Sequence, residues 1–381
     1  MSALTAPAPV QPFVLTDEQK ALTEMVRDLL GDAASSERVR EVMVEHGGFD
    51  QALYDQLVQY GLAGLTIAEE HGGAGATFTE LSIVFEELGR RLAPVPLLST
   101  AVLGTTAIQV GATPEQQAAW LPAVADGSSR LALAHLDPAG RLDADPGVRA
   151  VAAGDGFTLD GTAGYVLDGA SATHLLVAAT TDDGIAIFHV DAEAAGIERR
   201  GIDVLDLTRP MATIVLSGVE VPADAKFGGN ASAALHAALT AGVVMLACEQ
   251  VGGVQEILSR TTTYARERVQ FGRAIGSFQA VKHKLAEMLV ASESARSAAY
   301  HAARMLAAHE IEELRIAAPL AKAYCSDVYE KASADSIQLH GGIGFTWEHD
   351  AHLYFKRAKS SKLLFGSPKH HRALLADVLE L

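Results

Sequence analysis

Apolar residues recur at helical spacing along the first third of the chain. Leu22, Met25, Val26, Leu29 and Leu30 fall on one helix face. Ahead of them, Thr16-Asp17-Glu18-Gln19 fits a capping box, with Thr16 as N-cap and Gln19 at the third helical position. A second helix is expected from about 49 to 60, stopped by Gly61. The segment His71-Gly72-Gly73-Ala74-Gly75 reads as a turn, and an amphipathic stretch carrying Leu81, Val84, Phe85 and Leu88 follows until Pro94 and Pro96 break it. From residue 129 the period changes. Short β-rich runs at 131–135, 156–159, 175–179, 185–190 and 212–216 are separated by turn residues, with Asp160-Gly161 and Asp183-Gly184 as hairpin-type pairs. From residue 230 long Ala- and Leu-rich helical stretches return, at about 231 to 266, 278 to 309 and 312 to 338, each longer than an average helix. The pattern predicts an α+β fold in three parts: an N-terminal α-helical domain (1–128), a middle β-domain (129–229) and a C-terminal four-helix bundle (230–381) that packs on other subunits.

Composition narrows the classes. The 381 residues include 47 acidic and 30 basic side chains, for a net charge of −17, and 49% are apolar. Such a chain buries a large core, which excludes disorder as its main state. Its acidity argues against nucleic acid, since phosphate binding needs a basic face. Cys248 and Cys325 match no zinc spacing and read as buried thiols of a reducing compartment. The start, MSALTAPAPVQPF, lacks the basic and apolar regions of an export signal. The most apolar run, Ala237 to Cys248, is short of the ~20 residues that a membrane span needs. A cytoplasmic protein with no membrane segment is expected.

The sharpest signals lie near the C-terminus. One is Tyr264-Ala265-Arg266-Glu267-Arg268-Val269-Gln270-Phe271-Gly272-Arg273-Ala274-Ile275-Gly276-Ser277-Phe278-Gln279-Ala280-Val281-Lys282-His283. Another is Gln338-Leu339-His340-Gly341-Gly342-Ile343-Gly344-Phe345, followed by His352-Leu353-Tyr354-Phe355-Lys356-Arg357-Ala358-Lys359. With Glu69–Gly75 and Glu86-Glu87-Leu88-Gly89-Arg90, these stretches resemble the acyl-CoA dehydrogenase family over essentially the whole chain. The resemblance implies FAD as cofactor, an acyl-CoA thioester as substrate and an electron-transfer flavoprotein as electron acceptor. It also implies a cofactor half-site that serves the neighbouring subunit. Arg268 would sit at the pyrophosphate, through charge-assisted hydrogen bonds, with Gln270 and Phe271 beside it. Ile275, Phe278, Gln279 and Val281 would line the adenine end. Gln338, Gly341 and Gly342 would form a loop that the cofactor approaches closely.

Against that pattern the chain departs in two places. The family holds the flavin ring with a Thr-Glu-Pro-x-x-Gly-Ser-Asp segment, which here reads Leu136-Asp137-Pro138-Ala139-Gly140-Arg141-Leu142-Asp143. Its Trp-Ile-Thr segment reads Tyr165-Val166-Leu167. Three hydroxyl donors are lost. The base that takes the α-proton is missing too. One family position for that glutamate is Phe365 here, within Leu364-Phe365-Gly366-Ser367, and the alternative position is Gly242, followed by Val243. Glu249, two turns beyond Gly242 on the same helix face, is the remaining candidate: a base relocated into an apolar helix, or a partnered carboxylate.

Two further clusters read as ordinary surface. His349, His352, His370 and His371 fit no standard metal spacing. The run Lys356-Arg357-Ala358-Lys359-Ser360-Ser361-Lys362 could meet the phosphates of coenzyme A, but reads first as a helix face toward solvent or a partner. Three functions follow. The first is a subunit of a hetero-oligomeric acyl-CoA dehydrogenase, within a tetramer whose homologous partner supplies the base; by resemblance such systems act on bulky acyl chains, including those of steroids. The second is a homo-oligomeric flavoenzyme using Glu249. The third is a non-catalytic binding or assembly protein on this scaffold.

Overall fold

The computed structural model of the chain describes residues 14–381; the reading of the N-terminus as lacking an export signal lies outside them. The first helices are α1 (Asp17–Ala33), α2 (Ser36–Glu45), α3 (Gln51–Gln59) and α4 (Phe78–Arg91). The capping box forms as expected: Thr16 Oγ1 accepts from the Gln19 amide at 3.2 Å, and Gln19 Oε1 accepts from the Thr16 amide at 3.1 Å. Helix α2, capped by Ser35, is not foreseen by the sequence reading, because only Val39, Val42 and Met43 of its ten residues are buried. Helix α4 ends at Leu92 in a left-handed conformation, before the two prolines. A π-helical run, Leu98–Gly104, leads into α5 (Thr105–Gly111), and α6 (Pro114–Ala125) closes this helical part.

The middle of the chain forms a seven-stranded mixed sheet among the described residues. Its strands are β1 (Leu131–Ala134), β2 (Val148–Ala153), β3 (Gly156–Leu167), β4 (His174–Thr181), β5 (Gly184–Asp191), β6 (Ile197–Gly201) and β7 (Met211–Pro222). The order is β1-β4-β2-β3-β7-β6, with β5 on β4. Alternation decides where β1 stands: Ala132 and Ala134 face the sheet's own core, whereas Leu131 and Leu133 join the helical core. The β4–β5 hairpin forms where Asp183-Gly184 predicted one, shifted by one residue: its turn is Asp182-Asp183, and Gly184 opens β5 opposite Thr181. Asp160-Gly161 does not form a turn. It sits at a bulge inside β3, where a Cβ on Gly161 would lie 2.3 Å from the Gly147 carbonyl oxygen; the β2–β3 turn is Gly154-Asp155 instead.

The last part consists of α7 (Ala231–Glu267), α8 (Gln279–Ala307), α9 (Ile311–His340), α10 (Ala351–Leu363) and α11 (Pro368–Val378), with a small hairpin of β8 (Val269–Gln270) and β9 (Arg273–Ala274) between α7 and α8. Helices α7 to α10 form the bundle, and α11 packs on α9. Helix α7 is long and apolar enough to cross a membrane, yet 61% of its most apolar window is buried inside the protein. It crosses α4 with backbone nearly touching backbone. A Cβ on Gly252 would lie 1.7 Å from the Glu86 carbonyl oxygen, and one on Gly89 would lie 1.9 Å from that of Glu249. Only glycine on both helices allows so close a crossing.

Candidate active site

Two motifs that are far apart in sequence meet at one end of the bundle. The rings of Tyr264, near the end of α7, and His340, the last residue of α9, lie 4.4 Å apart, and Tyr264 donates to the His340 carbonyl at 3.3 Å. One turn after Tyr264, Arg268 ends α7. It is exposed, and among the described residues its guanidinium has no carboxylate partner. The β8–β9 hairpin turns through Phe271 (φ 52°) and Gly272 (φ 77°), both left-handed as a two-residue primed turn demands. Phenylalanine is costly there, yet its ring is 92% exposed. Phe278 lies edge-on to it at 6.1 Å, and the Arg273 guanidinium covers Phe278 at 4.0 Å. Gln270 and Gln279 are exposed, while Ile275 and Val281 are half-buried. Across from them Gln338 is exposed at the end of α9, and Gly341 and Gly342 have nothing within 4 Å of where a Cβ would stand. The predicted half-site residues therefore share an open, cationic and aromatic end of the bundle.

At the base positions the structure brings Gly242 and Phe365 together. A Cβ on Gly242 would lie 3.1 Å from the Phe365 ring and 2.7 Å from Leu103, in the π-helical run. Phe365 is 9% exposed and holds a left-handed backbone (φ 59°). Its loop is fastened from behind. The buried Lys322 ammonium donates to the carbonyls of Ser361 (3.0 Å), Lys362 (3.3 Å) and Gly366 (3.2 Å), and to Ser326 Oγ (3.0 Å). Burial pulls this lysine down to about 7. His371 Nε2 lies 2.9 Å from the Phe365 carbonyl oxygen.

Glu249 is not a free base. Arg209 Nη2 donates to both its carboxylate oxygens at 2.5 Å, and Arg357 Nη1 stands 3.3 Å from Oε1. Arg357 Nε faces Asp206 Oδ2 at 3.2 Å, and Arg209 Nη1 donates to Ser361 Oγ at 2.9 Å. Beside this network Asp168 accepts from Ser99 Oγ at 2.6 Å. Burial raises Asp168 to about 6, against the opposing pull of Ser99, Arg209 and Arg357. The members come from the first helical part, the sheet and the bundle. The cavity they share with Leu97, Leu98 and Leu167 is about 20 Å³, room for about one water. A carboxylate whose two oxygens are both taken up by buried guanidiniums, beside a cavity too small for an acyl chain, is not placed to abstract a proton. The expectation that the whole 356–362 run faces solvent or a partner is corrected here for Arg357, which is 3% exposed. The expectation of a surface histidine cluster is corrected too: His349 and His352 lie near Trp347 and His340, His370 and His371 beside the Phe365 loop, and His352 and His371 are buried.

Comparison with known proteins fits this geometry. The chain matches the family model of the acyl-CoA dehydrogenase N-terminal domain over residues 16–128 and that of the C-terminal domain over residues 232–380. It is 36% identical over 366 residues to acyl-CoA dehydrogenase IpdE2 of Mycobacterium tuberculosis, covering 96% of this chain and 98% of the relative. The chain belongs to the acyl-CoA dehydrogenase family. Among solved structures it is similar to the ChsE4-ChsE5 complex of Mycobacterium tuberculosis (29% identity, TM-score 0.89, 97% of this chain and 99% of that one). It is likewise similar to a variant of the Tcur3481-Tcur3483 steroid acyl-CoA dehydrogenase (32% identity, TM-score 0.85, 95% of this chain and 98% of that one).

Acyl-CoA dehydrogenases are FAD-dependent flavoproteins, and the two ends of an FAD fit this chain unequally. The open end of the bundle offers an uncompensated guanidinium, exposed aromatic rings and glycine backbone, which suit a pyrophosphate and an adenine. The segment where the family holds the flavin ring does not fit. Leu136 is half-buried and Leu167 is buried, and neither carries a donor. Tyr165 lies across Gly140, where a Cβ would meet its ring at 2.6 Å. Near them His135 Nε2 is buried with no hydrogen-bond partner among the described residues, and burial holds that imidazole down to about 4. The sequence reading missed Arg209, Arg357, Asp168, Asp206 and Lys322. For the two arginines the signal was available: a charged residue within an otherwise buried stretch implies a buried partner, and Glu249 already called for one.

Proposed function

We propose that this acyl-CoA dehydrogenase acts as one subunit of a hetero-oligomer, a tetramer in which a homologous partner supplies the flavin-ring site, the acyl pocket and the catalytic glutamate. In this reading the chain lends Arg268, Gln270, Phe271, Ile275, Phe278, Gln279, Val281, Gln338, Gly341 and Gly342 to the pyrophosphate and adenine of a cofactor whose flavin lies in the partner. Bound FAD supplies the hydride acceptor for α,β-dehydrogenation of an acyl-CoA, and an electron-transfer flavoprotein takes the electrons onward. This chain's own residues anchor the cofactor and keep its charge paired.

The observation that carries the proposal is the contact between Phe365 and Gly242. Both positions at which the family places its base are occupied by groups that cannot take a proton, packed against each other. Similarity to two paired dehydrogenases, one of them acting on steroids by its name, supports a bulky acyl substrate held by the partner. The test is flavin content and anaerobic flavin bleaching by acyl-CoA, measured for the chain alone and co-purified with homologous partner subunits. The expected result is no dehydrogenation by the chain alone, and stoichiometric FAD with turnover in the complex. If the chain alone binds FAD, reduces it with an acyl-CoA and loses that reaction in Glu249→Gln, the relocated-base alternative replaces this one.

A further inference from the structure

The two segments proposed to meet the cofactor leave different helices, α7 and α9, and these helices are tied together at two levels. The deeper tie is between hydroxyls: Thr261 Oγ1 of α7 donates to Ser336 Oγ of α9 at 2.8 Å, and both residues are buried. One turn on toward the open end stand Tyr264 and His340, three and four residues beyond that pair. The His340 ring meets two others, Tyr264 at 4.4 Å and His349 at 4.3 Å, and its Nδ1 lies 2.8 Å from the Ser336 carbonyl oxygen, which fixes the rotation of the imidazole. The carbonyls of a last helical turn lack intrahelical donors; for His340 the Tyr264 hydroxyl supplies one, at 3.3 Å. Directly after His340 the chain turns through Gly341 (φ 67°, ψ −144°), a conformation that favours glycine. On α7, the Arg268 amide donates to the Tyr264 carbonyl at 2.8 Å. Tyr264 therefore touches both segments: through its carbonyl the residue proposed for the pyrophosphate, and through its hydroxyl the peptide that leads into the glycine loop.

We infer that Tyr264 and His340 are positioning residues of the cofactor half-site, whose ring contact and hydrogen bond set the separation between Arg268 and the Gly341-Gly342 backbone. The inference rests on the half-site reading above. Neither residue has to touch FAD. A guanidinium and a glycine backbone that hold one pyrophosphate must keep a fixed spacing, because hydrogen bonds weaken steeply with misalignment. Gly341 and Gly342 have nothing within 4 Å of where a Cβ would stand, so their outer side is open and the ties that steady them stand behind, at His340. The Thr261–Ser336 tie lies one turn deeper. It joins the helices without reaching the loop.

The chain co-purified with a homologous partner subunit tests this, through the FAD dissociation constant read from flavin fluorescence across a dilution series. Tyr264→Leu removes the ring and the hydroxyl, and should raise that constant about tenfold. Tyr264→Phe keeps the ring and should raise it about two- to fivefold, the share of one long neutral hydrogen bond. His340→Leu removes the ring contact from the other side and should also weaken FAD. In all three, turnover at saturating FAD should match the unsubstituted complex, since a positioning residue leaves the reacting atoms alone. Thr261→Val, which breaks the deeper tie, should lower the thermal midpoint and leave the FAD constant unchanged. If either leucine variant does not fold, Tyr264→Phe decides. Arg268→Ala, measured alongside, separates two failures. If it weakens FAD while the Tyr264 variants do not, the positioning role is overturned and the half-site reading stands. If none of them weakens FAD, both fall. An effect of Thr261→Val on FAD as large as that of Tyr264→Phe also overturns the positioning role, because general packing of α7 on α9 would then account for both.

Discussion

Arg268 and Glu249 are both charged residues of one helix, and their surroundings give them opposite work. Arg268 stands exposed and, among the described residues, without a carboxylate, so its charge is available to a ligand. Arg268→Ala should leave the fold intact and weaken FAD retention in the assembled protein by about 1.5–3 kcal/mol, read as flavin released on dilution. Glu249 is fixed between Arg209 and Arg357. Its replacement by Gln should cost about 3–5 kcal/mol of stability, because two buried guanidiniums lose their counter-ion. Chemical denaturation measures that loss, and turnover per folded complex should not change. Asp168 gives the same buried region a pH signature. Its folded-state value, raised to about 6, lies above the ordinary aspartate value of about 4. The folded state therefore keeps the proton that the unfolded state releases between those values. The contribution of Asp168 is fully present below about pH 4 and is lost as pH rises toward 6. Asp168→Asn, which tolerates the left-handed backbone at this position (φ 55°), should remove that dependence from the stability curve between pH 4 and 6.

Whole elements show how much of this was legible beforehand. The long helices of the last part and the capping box of α1 announce themselves because periodicity and caps are local signals. Helix α2 hides because it buries little, and the bulge at Gly161 hides because Asp-Gly looks the same in a turn and in a strand whose neighbour crowds it. The motifs of the proposed half-site were visible in the sequence through their resemblance to the family. What was not legible is the fate of the empty base position: that Phe365 closes on Gly242, or that Arg209, from a loop of the sheet, reaches Glu249, depends on tertiary contacts with no local signature. Two elements carry direct tests. Gly252→Ala should force α4 and α7 apart, since its Cβ would lie 1.7 Å from backbone oxygen. A loss at or above the ~1–3 kcal/mol typical of overpacking is expected in thermal unfolding, because backbone cannot rotate aside. In the β8–β9 hairpin, Phe271→Asn should stabilise the isolated chain by about 1 kcal/mol through relief of the left-handed strain, yet weaken FAD retention in the complex. A gain in stability with unchanged retention would remove Phe271 from the cofactor site.

For the molecule as a whole, the bundle end proposed to hold a cofactor also exposes large aromatic rings. Phe271 is 92% exposed, Phe345 76% and Trp347 51%, on a protein whose net charge of −17 otherwise keeps copies apart. In the proposed assembly this surface is satisfied by FAD and the neighbouring subunit. A surplus copy has neither. Dosage therefore becomes a physical constraint: chains made in excess of the partner, or under flavin starvation, carry an uncovered aromatic patch into a crowded cell. Balanced synthesis of the two subunits would protect solubility as much as it supplies activity.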